Sequence, residues 1–222
     1  MSRSRPLSFV ASLMLGLALV ALPVLAQPQV ASGTDQAAVT NRVLDQVLLD
    51  TSAGEIIIAL EPDAPVTSAN FLRYVDEGRL DGTDFYRSMV IASGIGLIQG
   101  GTNNRPERVL APVVHEATNV TGLTHRDGAV SMARHDPGTA TGDFFIIVGD
   151  VRSLDANRVS AGDPGFAVFG RVVQGMDIVR QILISPTSPT QGEGFMRGQM
   201  LDPPVQIRSA RRMAQPLSLQ AD

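Results

Sequence analysis

Side chains able to do chemistry are few in this 222-residue chain, which holds three histidines and no cysteine. His115, His125 and His135 match no helical His-x-x-x-His spacing and have no thiolate partner, which argues against a zinc centre. Ser93 and Ser131 lack the flanking glycines of a strained nucleophile elbow. Gly94-Ile95-Gly96 lacks the third glycine and the helix of a dinucleotide fingerprint, and Gly100-Gly101 is not followed by Lys-Ser or Lys-Thr. What remains is an arginine in Phe85-Tyr86-Arg87, a carboxamide in Leu97-Ile98-Gln99-Gly100-Gly101, and the segment from Ser131-Met132-Ala133-Arg134 to Gly165-Phe166-Ala167-Val168-Phe169. A guanidinium keeps its charge and presents its donors in a rigid fork, so beside an apolar slot it can bond a peptide oxygen or an imide nitrogen. That chemistry polarises; it does not attack.

The elements that must hold these groups are mostly strands. Gln46 to Thr51 and Glu55 to Leu60 form a hairpin across Ser52-Ala53-Gly54. A helix follows, capped by Thr67 or Ser68, with Phe71, Leu72 and Val75 on one face and Gly78 at its end. Strands are predicted at Thr83 to Met89, Leu97 to Gln99, Ala129 to Ala133, Phe144 to Val148, Phe166 to Val173 and Val205 to Arg211, with a second helix from Met176 to Ile184. Two helices among many short strands indicate an all-β barrel or sandwich. Side chains alternate along a strand, so Phe144 and Phe145 face opposite sides and one ring is free to meet a ligand. The Pro- and Gly-rich stretch 185 to 204 carries no chemical spacing and reads as decoration.

In this order, the motifs resemble the cyclophilin family of peptidyl-prolyl cis-trans isomerases. The similarity runs from Gln46 to Arg211 and includes Asn70-Phe71, Phe85-Tyr86-Arg87, Gln99-Gly100-Gly101, Ser131-Met132-Ala133, Phe144-Phe145-Ile146 and Phe169-Gly170. The resemblance implies a mainly β fold: a closed eight-stranded antiparallel barrel capped by two helices, with the active face on its outside. It implies Arg87 as the catalytic arginine and Gln99 as the carboxamide orienting the substrate backbone. Phe145, Leu97, Leu154 and Phe166 would wall the proline pocket, and Ala133 with the backbone of Arg134 would line the groove for the preceding residue. Proline-containing polypeptides are the implied substrates, with no cofactor and no metal.

Several residues depart from the family pattern. The segment between Arg87 and Gln99 is longer, and Gly96 stands where an aromatic pocket residue is usual. Ser153 replaces a frequent aromatic, Phe166 a usual histidine, and Asp143 a usual glutamine. Asp143 could pair with Arg87 and compete with substrate, or turn into a loop hydrogen bond. An altered pocket rim also leaves a second reading open, a module that binds proline segments with little turnover. A third reading, a structural partner in an envelope assembly, draws on the 185 to 204 stretch and the leader.

Arg3 and Arg5, the apolar run from Leu7 to Leu25 and the Ala26-Gln27 junction predict a secretory signal over residues 1–26. The rival is an uncleaved anchor, since the run is near the lower limit of about 17 residues for a span. Residues 27–41 read as a flexible leader, 42–214 as the domain and 215–222 as a tail. A cleaved signal would place the protein in the periplasm without stable membrane insertion. All eighteen basic residues are arginine. Without residues 1–26 the balance is 16 basic against 22 acidic, which is no nucleic-acid footprint. With no cysteine, the domain must rest on its own core rather than on disulfides. Nothing calls for an oligomer, so a monomer is expected.

Overall fold

The computed structural model describes residues 44–218; the predicted signal and leader lie outside them. Nine strands and three helices follow one another as β1 (Gln46–Thr51), β2 (Gly54–Leu60), α1 (Pro65–Asp76), β3 (Thr83–Ala92), β4 (Ile95–Gly101), α2 (Thr118–Thr121), β5 (Ala129–Met132), β6 (Phe144–Val148), β7 (Ala167–Gln174), α3 (Met176–Leu183), β8 (Thr187–Ser188) and β9 (Met200–Arg212). Eight of the strands run β1-β2-β7-β5-β6-β4-β3-β9, and β9 pairs back onto β1, so the barrel is closed. Every pairing is antiparallel, and β8 is a short addition on β9. This is the expected eight-stranded barrel.

The two-residue alternation of the strands divides the apolar side chains between two cores. Phe144, Ile146 and Val148 of β6, Ile98 of β4 and Val130 and Met132 of β5 point into the main core. Phe145, Ile147, Leu97 and Ala129 on the same strands form a second cluster. Inside, Phe71 of α1 packs 5.3 Å from Phe144 and 5.1 Å from Phe169, and Phe85 meets Phe144 edge-on at 5.7 Å. Val179, Ile182 and Leu183 of α3 complete that core. The inside of the barrel is thus packed solid, and the second cluster is left to build a site.

Helix α1 starts earlier than its sequence suggests and is capped differently. Pro65 opens it, as suits a residue with no N–H to satisfy. Neither Thr67 nor Ser68 caps it: both are buried inside its first turn. The Glu116 carboxylate, from a distant loop, accepts the Val66 N–H at 3.1 Å, the Thr67 N–H at 2.7 Å and the Thr67 hydroxyl at 2.6 Å. An anion at this end also suits the helix dipole.

Strand β9 begins five residues before the expected Val205, despite Pro203 and Pro204. Val205 pairs with Phe85 and Met200 with Arg87, so both prolines fall in an irregularity opposite Tyr86, where no ladder donor is required. The expected tail is also partly tied down. Gln46 exchanges two 2.8 Å hydrogen bonds with the backbone of Leu217.

Candidate active site

Strands β3, β4 and β6 lie side by side on the barrel wall and set the first residues of the site. Arg87 pairs in register with Gln99, and Gln99 with Phe145, giving one row across three strands. Above this row is a cavity of about 360 Å³ lined by Arg87, Gln99, Phe145, Leu97, Leu154 and Phe166, with Ala133 and Arg134 at its edge. All eight residues expected from sequence are therefore brought together.

Phe145 is the cavity's buried ring. Phe166 meets it edge-on at 5.5 Å, and the His125 ring stacks behind it at 5.9 Å with an interplanar angle of 12°. His125 is fully buried and fixed from both ends. Its Nδ1 lies 2.8 Å from Asp155 Oδ1 and its Nε2 3.0 Å from Ser131 Oγ. An ionised carboxylate only accepts, so Nδ1 donates and Nε2 accepts the Ser131 hydroxyl proton. Burial holds the His125 pKa below its ordinary value, and the ring is neutral. Burial would raise the Asp155 carboxyl, but hydrogen bonds from Arg152 and His125 outweigh it and hold the group below the usual range. The Ser-His-Asp order resembles a hydrolase triad, but it is sealed behind Phe145, with Ser131 and His125 both at 0 % exposure.

Arg87 is 7 % exposed, and its guanidinium is held by two carboxamides. Nη1 donates to Gln99 Oε1 at 2.8 Å, while Nε and Nη2 both donate to Gln199 Oε1, at 2.9 and 2.7 Å. Nη2 also lies 3.4 Å from Met89 Sδ. Of five N–H groups, four have partners among the described residues, and one on Nη1 is left. Gln99 in turn donates from Nε2 to the Tyr86 hydroxyl at 2.8 Å. Burial, reinforced by the nearby Asp143 charge, pushes the Tyr86 phenol far above its ordinary pKa, so it stays protonated.

Arg134 contributes more than the expected backbone. Its guanidinium lies 4.8 Å above the Phe166 ring and donates from Nε to the Gly165 carbonyl at 3.1 Å, which fixes Phe166 at the rim.

The unusual residues resolve on physical grounds. Asp143 does not pair with Arg87: its carboxylate accepts the Asn103 N–H at 2.7 Å, the Asn104 N–H at 3.2 Å and the Thr102 hydroxyl at 3.3 Å. Gly96 leaves no hole in the wall. A Cβ there would stand 2.2 Å from the Met89 carbonyl oxygen, so the β3–β4 approach requires glycine. Met89, Phe195, Met196 and Met200 supply apolar lining on that side.

The stretch 185 to 204 is where sequence reasoning failed. Far from decoration, it brings Gln199 and Phe195 to Arg87, with the Phe195 ring centroid 5.3 Å from the guanidinium carbon. No spacing signal marks them. Tyr86, by contrast, sat within a motif already singled out.

The fold is a closed antiparallel barrel, and the site is an apolar pocket on its outside bordered by one held guanidinium. Residues 46–211 match the family model described as cyclophilin type peptidyl-prolyl cis-trans isomerase/CLD. The chain belongs to this family. It is 40% identical over 173 residues to a peptidyl-prolyl cis-trans isomerase of Streptomyces antibioticus, covering 76% of this chain and 98% of that one. It is 42% identical over 147 residues to one from Acinetobacter baylyi, covering 64% and 73%. A cyclophilin-type isomerase of Cryptosporidium parvum, crystallised in the presence of the dipeptide Ala-Pro, shares the fold with a TM-score of 0.61 at 20% identity, covering 77% of this chain and 99% of that one.

Proposed function

We propose that this isomerase rotates X-Pro peptide bonds by donating the remaining Nη1 N–H of Arg87 to the prolyl nitrogen while Phe145 anchors the proline ring. The observation that carries this reading is the guanidinium itself, buried and held by two carboxamides at the edge of the Phe145 cavity. Resonance opposes the rotation with a barrier of about 18–20 kcal/mol. In the twisted state the nitrogen regains a lone pair, and a donor aimed at it stabilises that state far more than the planar amide. A donor held in place beforehand needs no reorganisation as the bond turns. Leu97, Leu154 and Phe166 complete the ring pocket. Ala133 and Arg134 border the groove for the preceding residue, and Gln99 keeps one amide N–H for the substrate backbone.

The enzyme would act on exported proteins in the periplasm as a monomer. Support for export comes from Arg3, Arg5, the apolar run and the Ala26-Gln27 junction. A binding module without turnover, argued from Gly96, Ser153 and Asp143, has less support, because the Asp143 carboxylate is engaged by the Asn103 and Asn104 N–H groups rather than by Arg87 and Gly96 fits the close β3–β4 approach. Two-dimensional exchange spectroscopy on one proline peptide tests the reading. Wild type accelerates exchange, and Arg87→Ala loses most of the acceleration; equal rates would remove Arg87 from the mechanism.

A further inference from the structure

Gln199 accepts two hydrogen bonds from Arg87, more than any other side chain among the described residues, yet it comes from the turn-rich excursion and from no motif of the site. Its placement is fixed at three points. The backbone carbonyl accepts the Ser88 N–H at 2.9 Å, which extends the β3–β9 ladder by one residue. Its own N–H donates to the Met196 carbonyl at 3.0 Å. The side-chain Nε2 donates to the Phe195 carbonyl at 2.8 Å, so Oε1 is the end that faces Arg87. Oε1 then takes Nε and Nη2 together, a fork that sets both the position of the guanidinium and its rotation about the Cδ–Nε bond.

The rest of the excursion builds the support for that fork. Gly198 donates to the Gln191 carbonyl at 3.0 Å, and the Gln191 N–H reaches Ser188 Oγ at 3.3 Å, tying the loop to β8. Phe195, 75 % exposed, lies across the guanidinium from the solvent side. A neutral acceptor in this place has a particular merit. A carboxylate would also orient the arginine but would neutralise the charge that the prolyl nitrogen needs. A carboxamide orients it and leaves the charge intact.

We propose that Gln199 is a positioning residue for the isomerase: it locks the Arg87 fork so that the free Nη1 N–H points at the turning bond. This rests on the reading of Arg87 as the donor. Gln199→Met keeps the side-chain bulk among Met89, Met196 and Met200 and removes the acceptor. It is expected to lower kcat by about 10- to 100-fold, the factor that corresponds to lost hydrogen bonds to a charged group, with KM shifted less than about threefold. In an Arg87→Ala background the same change should leave the residual rate as it is, because no guanidinium remains to be positioned. In the wild-type enzyme, the Arg87 Nε–H signal, assigned by its loss in Arg87→Ala, should exchange slowly with water.

An unchanged kcat in Gln199→Met, an equal fall in both backgrounds, or an Arg87 Nε–H that exchanges as fast as an exposed arginine overturns the inference. The last reading needs no Gln199 variant to fold. Should Arg87→Ala itself keep the full rate, it is the donor reading that fails, a result distinct from a neutral Gln199→Met beside an inactive Arg87→Ala.

Discussion

Asp143 immediately precedes the two phenylalanines of β6, and its replacement by alanine is expected to weaken the fold far more than the chemistry. Asp143 is 4 % exposed, and its carboxylate holds the loop after β4 through the N–H groups of Asn103 and Asn104 and the Thr102 hydroxyl. Both asparagines sit at positive φ, 50° and 53°, a region disfavoured by about 1–2 kcal/mol for an ordinary residue and less so for asparagine. Hydrogen bonds to a charged group contribute about 1.5–3 kcal/mol each, so two backbone bonds and a longer third amount to several. Against this stands the cost of burying the charge, which holds the Asp143 carboxyl above its ordinary pKa despite three donors. The balance for Asp143→Ala is a loss of about 2–4 kcal/mol, a large share of a typical domain's stability. Asp143→Asn keeps one acceptor but turns an amide donor towards a backbone donor, and should cost about 1–2 kcal/mol. Urea unfolding at constant m reads both values. In exchange spectroscopy kcat should stay within about twofold, because the proposed donor, Arg87, is not bonded to this carboxylate. KM should rise, since Asn103 and Asn104 line the cavity. A higher kcat in Asp143→Asn would mean that the carboxylate competes for Arg87, and an unchanged urea midpoint would mean that the loop does not depend on it; either result refutes the reasoning.

Stability should fall as the pH drops from about 6.5, the value at which His125 titrates in the unfolded chain. The buried ring has a lowered pKa, so below that point the unfolded state takes up a proton that the folded state refuses. Urea midpoints of wild type should decrease between pH 7.5 and 5.5, and those of His125→Gln, which cannot titrate, should change less over the same window. Glu116→Ala removes the remote cap of α1 and should cost about 1–2 kcal/mol, at the upper end for a lost cap. Its kcat should match wild type, because Glu116 lies outside the cavity.

What the sequence disclosed and what it withheld divides along one line, the reach of local pattern. Phe144 and Phe145 could be assigned to opposite sides because a strand alternates side chains whatever surrounds it. Arg87 and Gln99, twelve positions apart, fall opposite each other across one hairpin, so their partnership also lay within reach. Glu116 caps a helix some 50 residues before it, and Gln199 grips an arginine 112 positions away. Neither pairing leaves a period in the sequence, because the partners lie on separate elements that meet only in the folded domain. Gly96 misled for a related reason: reading it as a missing ring overlooked the Met89 carbonyl that occupies the space.

Strand β9 joins the first strand to the third, and its leading edge delivers the acceptor that grips Arg87. The same strand therefore closes the wall and carries, one residue before its start, the carboxamide that holds the guanidinium. A chain lacking this final segment would have an open seam between β1 and β3 and an Arg87 without its Gln199 acceptor. Wall and guanidinium thus depend on one stretch of chain, and a change that loosens the start of β9 is felt in both at once.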